Sequence, residues 1–414
     1  MNEGRNAALW CRAVWVLAAL ALQVHMPTVV AQDHPRSSDH DHPHAQTPKK
    51  GRTSAEVTDP RADSAAMRER TGLLRRAEVE LQRGDASAAT DNFDRAAMLL
   101  HAPDTEMGLV RAYMQAGDYR RALAFCAHTA GAHREAAAPG ALYAWLLQAG
   151  GQNEFAKLTL HEALGRHPSD PVLLQTQAAL NSVQPLTEPV LTNGAHRLAP
   201  YAVMQSGQAE LPTTARVVAS GVLLASGQRA LAALTAVPAG SAVWLRNGLG
   251  HTTQAVVEQR LDALSLAVLR LSSALPTAEL ATLATTAQDP FAGSPGYVVA
   301  FNPSPSGEAA WPWLHAGFLG AATLKGERWL GIEVPAPVSG GLVLDGAGRF
   351  SGVALTDAQA RAVMVPISAL RAALPASDFT DAPTPGASSA TRVPADLAYE
   401  RALRFSLQVI THAP

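Results

Sequence analysis

Cysteine and aromatic residues are scarce in this chain, and neither sign of charge is in excess. The 414 residues include two cysteines, 5% aromatic residues and a formal net charge of -2. A near-neutral chain gives no electrostatic reason to expect nucleic acid or an anionic membrane as a partner. No glycine-rich phosphate loop or paired metal-ligand motif is present, so no cofactor is expected. The chain is 47% hydrophobic, which is enough for large cores, and its length allows two or three domains.

The longest apolar run lies at the N-terminus and predicts a secretory signal peptide over residues 1–31. Arg5 and Arg12 precede an apolar run over residues 13–22, and small residues end at Ala31. The alternative is an uncleaved anchor, although the run is short for a spanning helix. Cleavage removes Cys11 and leaves Cys126 alone, so the mature chain has no intrachain disulfide. We expect secretion, to a bacterial periplasm.

Residues 32–63 form a polar, histidine-rich segment that we interpret as a disordered linker. The candidate metal ligands in it are His40, His42 and His44, which alternate with aspartates. Histidine and carboxylate side chains at this density can bind a transition metal. A flexible segment has no preset ligand geometry, which favours a solvated spacer.

Residues 64–183 carry a helical pattern that repeats three times. Gly84, Gly117 and Gly151 lie 33 and 34 positions apart, and each is followed by a residue that opens a new helix. Small, large and small residues then recur at matching positions, namely Ala89, Phe93 and Ala96, then Ala122, Cys126 and Thr129, then Ala156, Leu160 and Ala163. Residues 171–180 predict a closing helix.

This period resembles the tetratricopeptide repeat, in which small residues let two antiparallel helices approach closely. The resemblance implies a stack of helical hairpins with a concave groove for a protein or peptide partner. The alternative is a generic alanine-rich helical bundle.

Residues 195–375 change to short apolar runs separated by glycine, proline, serine and asparagine, which predicts an all-β barrel or sandwich. Five short segments then occur in an informative order: residues 220–224 (SGVLL), 233–237 (ALTAV), 264–269 (LSLAVL), 338–342 (VSGGL) and 365–370 (VPISAL). Their order and spacing resemble the trypsin-like fold, and in particular serine proteases of the high-temperature-requirement type. The alternative is an unrelated β domain with a chance Ser-Gly-Gly turn.

The resemblance implies a double barrel, and it identifies four positions of a degenerate active site. Thr235 stands where the family has its histidine base, and Ser265 where it has its orienting aspartate. Ser339 keeps the nucleophile position. Pro337 replaces the glycine whose backbone N–H helps to bind the oxyanion, and proline has no N–H. A domain with these residues is expected to be inactive.

Two rearrangements would restore a catalytic group. His251 and Asp262 would form a shifted triad with Ser339, or Lys325 would serve as a base in a Ser-Lys pair.

The C-terminal part predicts a flexible linker over residues 376–394 and an amphipathic helix over residues 395–412, with apolar residues at spacings of three and four. The fold class expected for the whole chain is α + β, with a helical repeat solenoid followed by a trypsin-like double barrel. The expected function is a binding adaptor without catalytic activity, which uses the repeat groove or the barrel cleft. The alternatives are an active serine endopeptidase with relocated catalytic residues and Ser339 as nucleophile, and a metal-handling protein.

Overall fold

The computed structural model describes residues 60–182, 186, 188–238, 242–276, 283–323, 326–332, 339–381 and 392–412, which belong to one compact unit. The predicted signal peptide and residues 32–59 of the predicted histidine-rich linker lie outside these residues. Residues 60–63, which the prediction assigned to the linker, belong to the first helix instead. No helix among the described residues has the length and apolarity that a membrane span requires.

The N-terminal region consists of helices joined by short turns. They are α1 (Pro60–Arg83), α2 (Ala86–Leu99), α3 (Pro103–Ala116), α4 (Tyr119–Ala132), α5 (Ala138–Ala149), α6 (Asn153–Arg166), α7 (Pro171–Leu180) and α8 (Pro189–Thr192). The first six helices form three hairpins, α1–α2, α3–α4 and α5–α6, and α7 packs against α5 and α6. All nine repeated small and large positions are buried, so they form the contacts within and between the hairpins.

A glycine with positive φ stands in the turn of each hairpin, and this explains the period of the sequence. Gly84, Gly117 and Gly151 have φ values of 83°, 86° and 80°. Each also lies against the barrels, because a Cβ atom would come within 2.9 Å of Val203, 2.6 Å of Arg404 and 2.7 Å of Leu314 respectively. All three turns therefore favour glycine for their backbone conformation. At Gly84 and Gly151 the space is also restricted, whereas the Arg404 guanidinium beside Gly117 can move away.

The rest of the chain is built mainly from strands, with two short helices between strands near its end. The strands are β1 (Val203–Met204), β2 (Ala215–Leu223), β3 (Arg229–Ala233), β4 (Val243–Asn247), β5 (His251–Leu261), β6 (Leu266–Leu271), β7 (Ala284–Thr285), β8 (Ser294–Ala300), β9 (Trp313–Ala322), β10 (Arg328–Gly331), β11 (Gly341–Asp345), β12 (Phe350–Thr356), β13 (Ala362–Pro366), β14 (Thr380–Asp381) and β15 (Ser406–His412). The helices are α9 (Ile367–Ala373) and α10 (Ala395–Ala402).

Twelve of these strands close into two antiparallel barrels of six. The first barrel runs in the order β15-β2-β3-β6-β5-β4 and closes between β4 and β15. The second runs β8-β9-β10-β13-β12-β11 and closes between β11 and β8. Closure leaves no barrel strand with an unpaired edge. This is the architecture of a trypsin-like double barrel, and the fold class expected from the sequence is confirmed.

The C-terminal strand β15 belongs to the first barrel. It occupies the position that corresponds to β8 in the second barrel, where β8 is the first of the six strands in sequence. β15 lies between β2 and β4, and its residues Leu407, Val409 and Ile410 are fully buried. The prediction of a helix over residues 395–412 is therefore wrong after Ala402. The apolar spacing of α10 continues by chance into the strand, whose β-branched run at residues 409–411 favours an extended backbone.

The predicted linker over residues 376–394 is also wrong at its beginning. Asp378 is 3% exposed and its carboxylate accepts a hydrogen bond from Arg229 of β3, and β14 pairs with β7. A buried ion pair and a strand pairing hold residues 376–381 in the fold.

The helical region packs directly on the rest of the chain, and α3 is buried between neighbouring helices and the 3-10 turn Gly194–His196. Residues Thr105 to Gln115 of α3 are all buried. The Tyr201 hydroxyl donates to Glu78 at 2.7 Å, and the Trp145 ring meets Trp313 edge to face at 5.0 Å. The groove is therefore not free for a partner along α3.

Candidate functional site

Thr235 and Ser265 lie side by side at one end of the first barrel. Thr235 is exposed in a single 3-10 turn, Leu234–Ala236, directly after β3. Ser265 is exposed directly before β6, with a left-handed backbone at φ 54°. The backbone N–H of Leu234 donates to the Ser265 carbonyl at 2.9 Å. Because β3 and β6 are antiparallel neighbours, the end of one strand adjoins the start of the other.

The Ser339 turn of the second barrel reaches the same end of the first barrel. The Ser339 carbonyl accepts a hydrogen bond of 2.8 Å from the backbone N–H of Ser220 in β2. Gly340 has φ 84°, and a Cβ atom there would lie 2.0 Å from the Ser220 carbonyl oxygen and 3.6 Å from the Ala233 nitrogen. Ala233 is two residues from Thr235. The structure therefore brings the segments that carry Thr235, Ser265 and Ser339 together where the barrels meet.

Ser220 is a residue of this region whose role was not recognised from the sequence. Its hydroxyl accepts a hydrogen bond of 2.8 Å from the backbone N–H of Phe301, the residue directly after β8. Its own backbone N–H holds Ser339. One buried serine therefore links the first barrel to two segments of the second. Its position beside Gly221 was noted only as part of a strand motif, and a single serine carries no pattern that predicts such a link.

The chemistry available at this site is that of hydroxyl groups. A threonine hydroxyl cannot take a proton near neutrality as an imidazole does, and the serine at position 265 carries no charge to stabilise an imidazolium. Within the described part of the chain, no side chain forms a hydrogen bond with the Ser339 hydroxyl. An activated serine needs a base within hydrogen-bond reach. Pro337 lies outside the described residues.

The shifted triad with His251 and Asp262 is incompatible with the fold. His251 begins β5, whereas Asp262 follows the last residue of the same strand. Ten residue steps at about 3.3 Å separate the two ends by roughly 30 Å. His251 instead lies beside Gln205, with its Nδ1 atom 3.5 Å from the Gln205 amide nitrogen, and burial lowers the pKa of its imidazole. Lys325 lies outside the described residues.

The described part of the second barrel also contains a half-buried histidine. His315 stands on β9 opposite Val298 of β8. Burial lowers the pKa of its imidazole to about 4, so this side chain is neutral at pH 7. It has no hydrogen bond with Ser339.

Among the described residues of the two barrels, no group of three or more His, Cys, Asp or Glu side chains brings its ligand atoms together. The predicted ligands His40, His42 and His44 lie outside them. Cys126 is fully buried in α4, and burial raises the pKa of its thiol. It is therefore held as an unreactive core residue.

Comparison with known proteins finds matches among solved structures only. No protein-family model and no curated protein matches the sequence. Among solved structures, a serine endoprotease from Yersinia pestis matches with 14% identity and a TM-score of 0.31, over 38% of this chain and 64% of that one. This chain therefore covers less than two thirds of the length of that structure. A similarity of this size bears on neither activity nor ligands.

Proposed function

We propose that this chain is a secreted binding protein, with a trypsin-like double barrel that recognises a protein or peptide without hydrolysing it. The helical hairpins, which we propose to be tetratricopeptide-like, support the barrels and extend the surface. We also propose that export follows from the signal-like segment over residues 1–31 and that the protein works in the periplasm.

The observation that carries this proposal is the combination of Thr235, Ser265 and Ser339 at one junction of the barrels. Their backbone segments adjoin, as the hydrogen bond between Leu234 and Ser265 and the close approach of Gly340 to Ala233 indicate. None of the three side chains is a base or a carboxylate. Adjoining segments at a junction of two barrels support the assignment of a protease-like site, and these three side chains lack the groups that would transfer a proton.

The cleft is favoured over the repeat groove as the site of binding. Thr235 and Ser265 are exposed and Ser339 is half-buried, so a ligand can reach them. Along α3, in contrast, the residues from Thr105 to Gln115 are all buried, so this part of the helical region offers no open groove. Hydroxyl groups can both donate and accept hydrogen bonds, which suits the backbone of an extended peptide.

A bulky side chain in the cleft tests this proposal. We expect Thr235→Trp to weaken binding of fluorescein-labelled unfolded casein peptides, measured by fluorescence anisotropy, while no peptide is cleaved. Thr71→Trp, at an exposed threonine of α1, is the matched control and should bind as the parent does. Equal binding by parent and Thr235→Trp would contradict a cleft site. Cleavage by the parent that Ser339→Ala abolishes would instead support an active endopeptidase.

A further inference from the structure

Two histidines and a glutamate from separate parts of the helical region come together at one point. His101 lies in the connection between α2 and α3, Glu106 lies in the first turn of α3, and His133 directly follows α4. The two histidines are 32 positions apart, close to one repeat period. Stacking of successive hairpins therefore places equivalent histidines next to each other, with their ring centroids 5.3 Å apart.

The three side chains present their ligand atoms to one another. The His101 Nε2 atom contacts Glu106 Oε1, and the His133 Nε2 atom lies 3.4 Å from Glu106 Oε2. One ligand atom from each residue lies within 4.8 Å of the others. Ligand atoms around a tetrahedral zinc ion, at about 2.0–2.2 Å from the metal, are roughly 3.3–3.5 Å apart. Small side-chain movements are enough to reach that geometry.

The cluster contains buried polar atoms that lack a hydrogen bond. Glu106 is 2% exposed, and neither its Oε2 atom nor the His133 Nε2 atom has a hydrogen-bond partner in the described structure. A buried carboxylate oxygen without a donor is costly, and native proteins rarely leave one. A cation between these atoms would satisfy both.

A further contact prepares His133 to act as a ligand. Its Nδ1 atom lies 3.3 Å from the Glu135 carboxylate. A proton held on Nδ1 by this carboxylate leaves the lone pair of Nε2 facing Glu106. Metal-binding histidines are commonly oriented by such a carboxylate on the second ring nitrogen.

We propose that His101, Glu106 and His133 bind a divalent first-row transition metal, with zinc as the ion that suits them best. Two imidazoles and one carboxylate are borderline ligands of the type that zinc accepts, whereas magnesium and calcium prefer oxygen ligands. Three protein ligands leave a fourth position, which opens to solvent beside His101, whose side chain is 60% exposed. The metal joins the end of α4 to the start of α3 and neutralises Glu106. This site is independent of the proposed function of the barrels.

Zinc titration of the chelator-treated mature chain tests the site. All proteins compared carry His34, His40, His42 and His44 changed to alanine, so that the histidines of the N-terminal segment do not compete for the metal. We expect one zinc ion per chain and a rise in the thermal midpoint that magnesium and calcium do not produce. His101→Ala and Glu106→Gln should lose both the bound ion and the rise, and Glu135→Gln should weaken zinc binding by about 10–100-fold.

His161→Ala is the matched control, because it removes an exposed histidine from α6. It should bind zinc as the parent does. Replacing zinc with cobalt adds a spectroscopic readout, because the visible absorption of bound cobalt should disappear in His101→Ala. Position 101 is exposed and therefore tolerant of substitution. Zinc binding and stabilisation that are unchanged in His101→Ala and Glu106→Gln would overturn the proposal. Absence of zinc binding by the parent would overturn it as well, and leave a histidine–carboxylate ion pair.

Discussion

Shortening Leu407 to alanine should reveal whether the C-terminal strand is part of the first barrel. The Leu407 side chain is fully buried in β15, and the residue pairs with Gly221 of β2 on one side and with Asn247 of β4 on the other. Truncation of a core leucine to alanine costs about 2–5 kcal/mol, because it loses both transfer free energy and packing. Leu407 has strands on both sides, so the cavity cannot collapse easily and the upper half of that range is expected.

The matched control is Leu158→Ala, which makes the same change at a side chain of α6 that is 53% exposed. Surface substitutions usually change stability by less than about 0.5 kcal/mol. Urea unfolding followed by circular dichroism measures both variants, and a lower midpoint with an unchanged slope reports lost stability. If Leu407→Ala is no less stable than Leu158→Ala, the terminal strand does not belong to the barrel and its described position is wrong.

Three further predictions concern the Ser339 turn, the helical repeats and His315. Gly340→Ala should destabilise the protein more than Gly207→Ala in the same urea assay. Both glycines have positive φ, but a Cβ atom at position 340 would lie 2.0 Å from the Ser220 carbonyl oxygen, whereas one at position 207 would meet open space. Equal losses of stability in the two variants would mean that the Ser339 turn is not packed on β2. Ala122→Leu and Ala156→Leu should each cost roughly 1–3 kcal/mol by overpacking fully buried positions, whereas Ala124→Leu, exposed on the same helix as Ala122, should be neutral in thermal denaturation. His315 has its pKa lowered to about 4 from 6.5, so the unfolded chain binds more protons between these values. The resulting stabilisation is present above pH 6.5, and it falls by up to about 3 kcal/mol as the pH drops towards 4. The dependence of unfolding free energy on pH should be weaker in His315→Leu and unchanged in His161→Leu, which alters an exposed site. The same pH dependence in the parent and both variants would show that His315 is not held neutral by burial.

The repeat region was predictable because its signals are local. The glycine of each hairpin turn recurs at a fixed period, and its reason is the positive φ of Gly84, Gly117 and Gly151. The convergence of Thr235, Ser265 and Ser339 could be anticipated only through the order of short motifs, since these residues lie far apart in the chain. No local pattern connects them.

The parts that sequence reasoning missed depend on contacts between distant segments. β15 was interpreted as a helix because Ala398, Ala402 and Phe405 keep a helical spacing, while its partners β2 and β4 lie far earlier in the chain. The cluster of His101, Glu106 and His133 was not predicted, because its side chains come from separate parts of the helical region and form no local motif. The repeat period was the available signal, since it places positions 101 and 133 in successive hairpins.

The measurement that tests the account most directly is labelling of Ser339 by a fluorophosphonate probe. The probe reacts with a serine whose hydroxyl is activated by a base, and the described structure provides no hydrogen-bonded base for Ser339. The purified mature protein should therefore be labelled no more than its Ser339→Ala variant, with an active serine protease as the positive control. Strong labelling that disappears in Ser339→Ala would contradict a non-hydrolytic barrel and establish an activated serine at this junction.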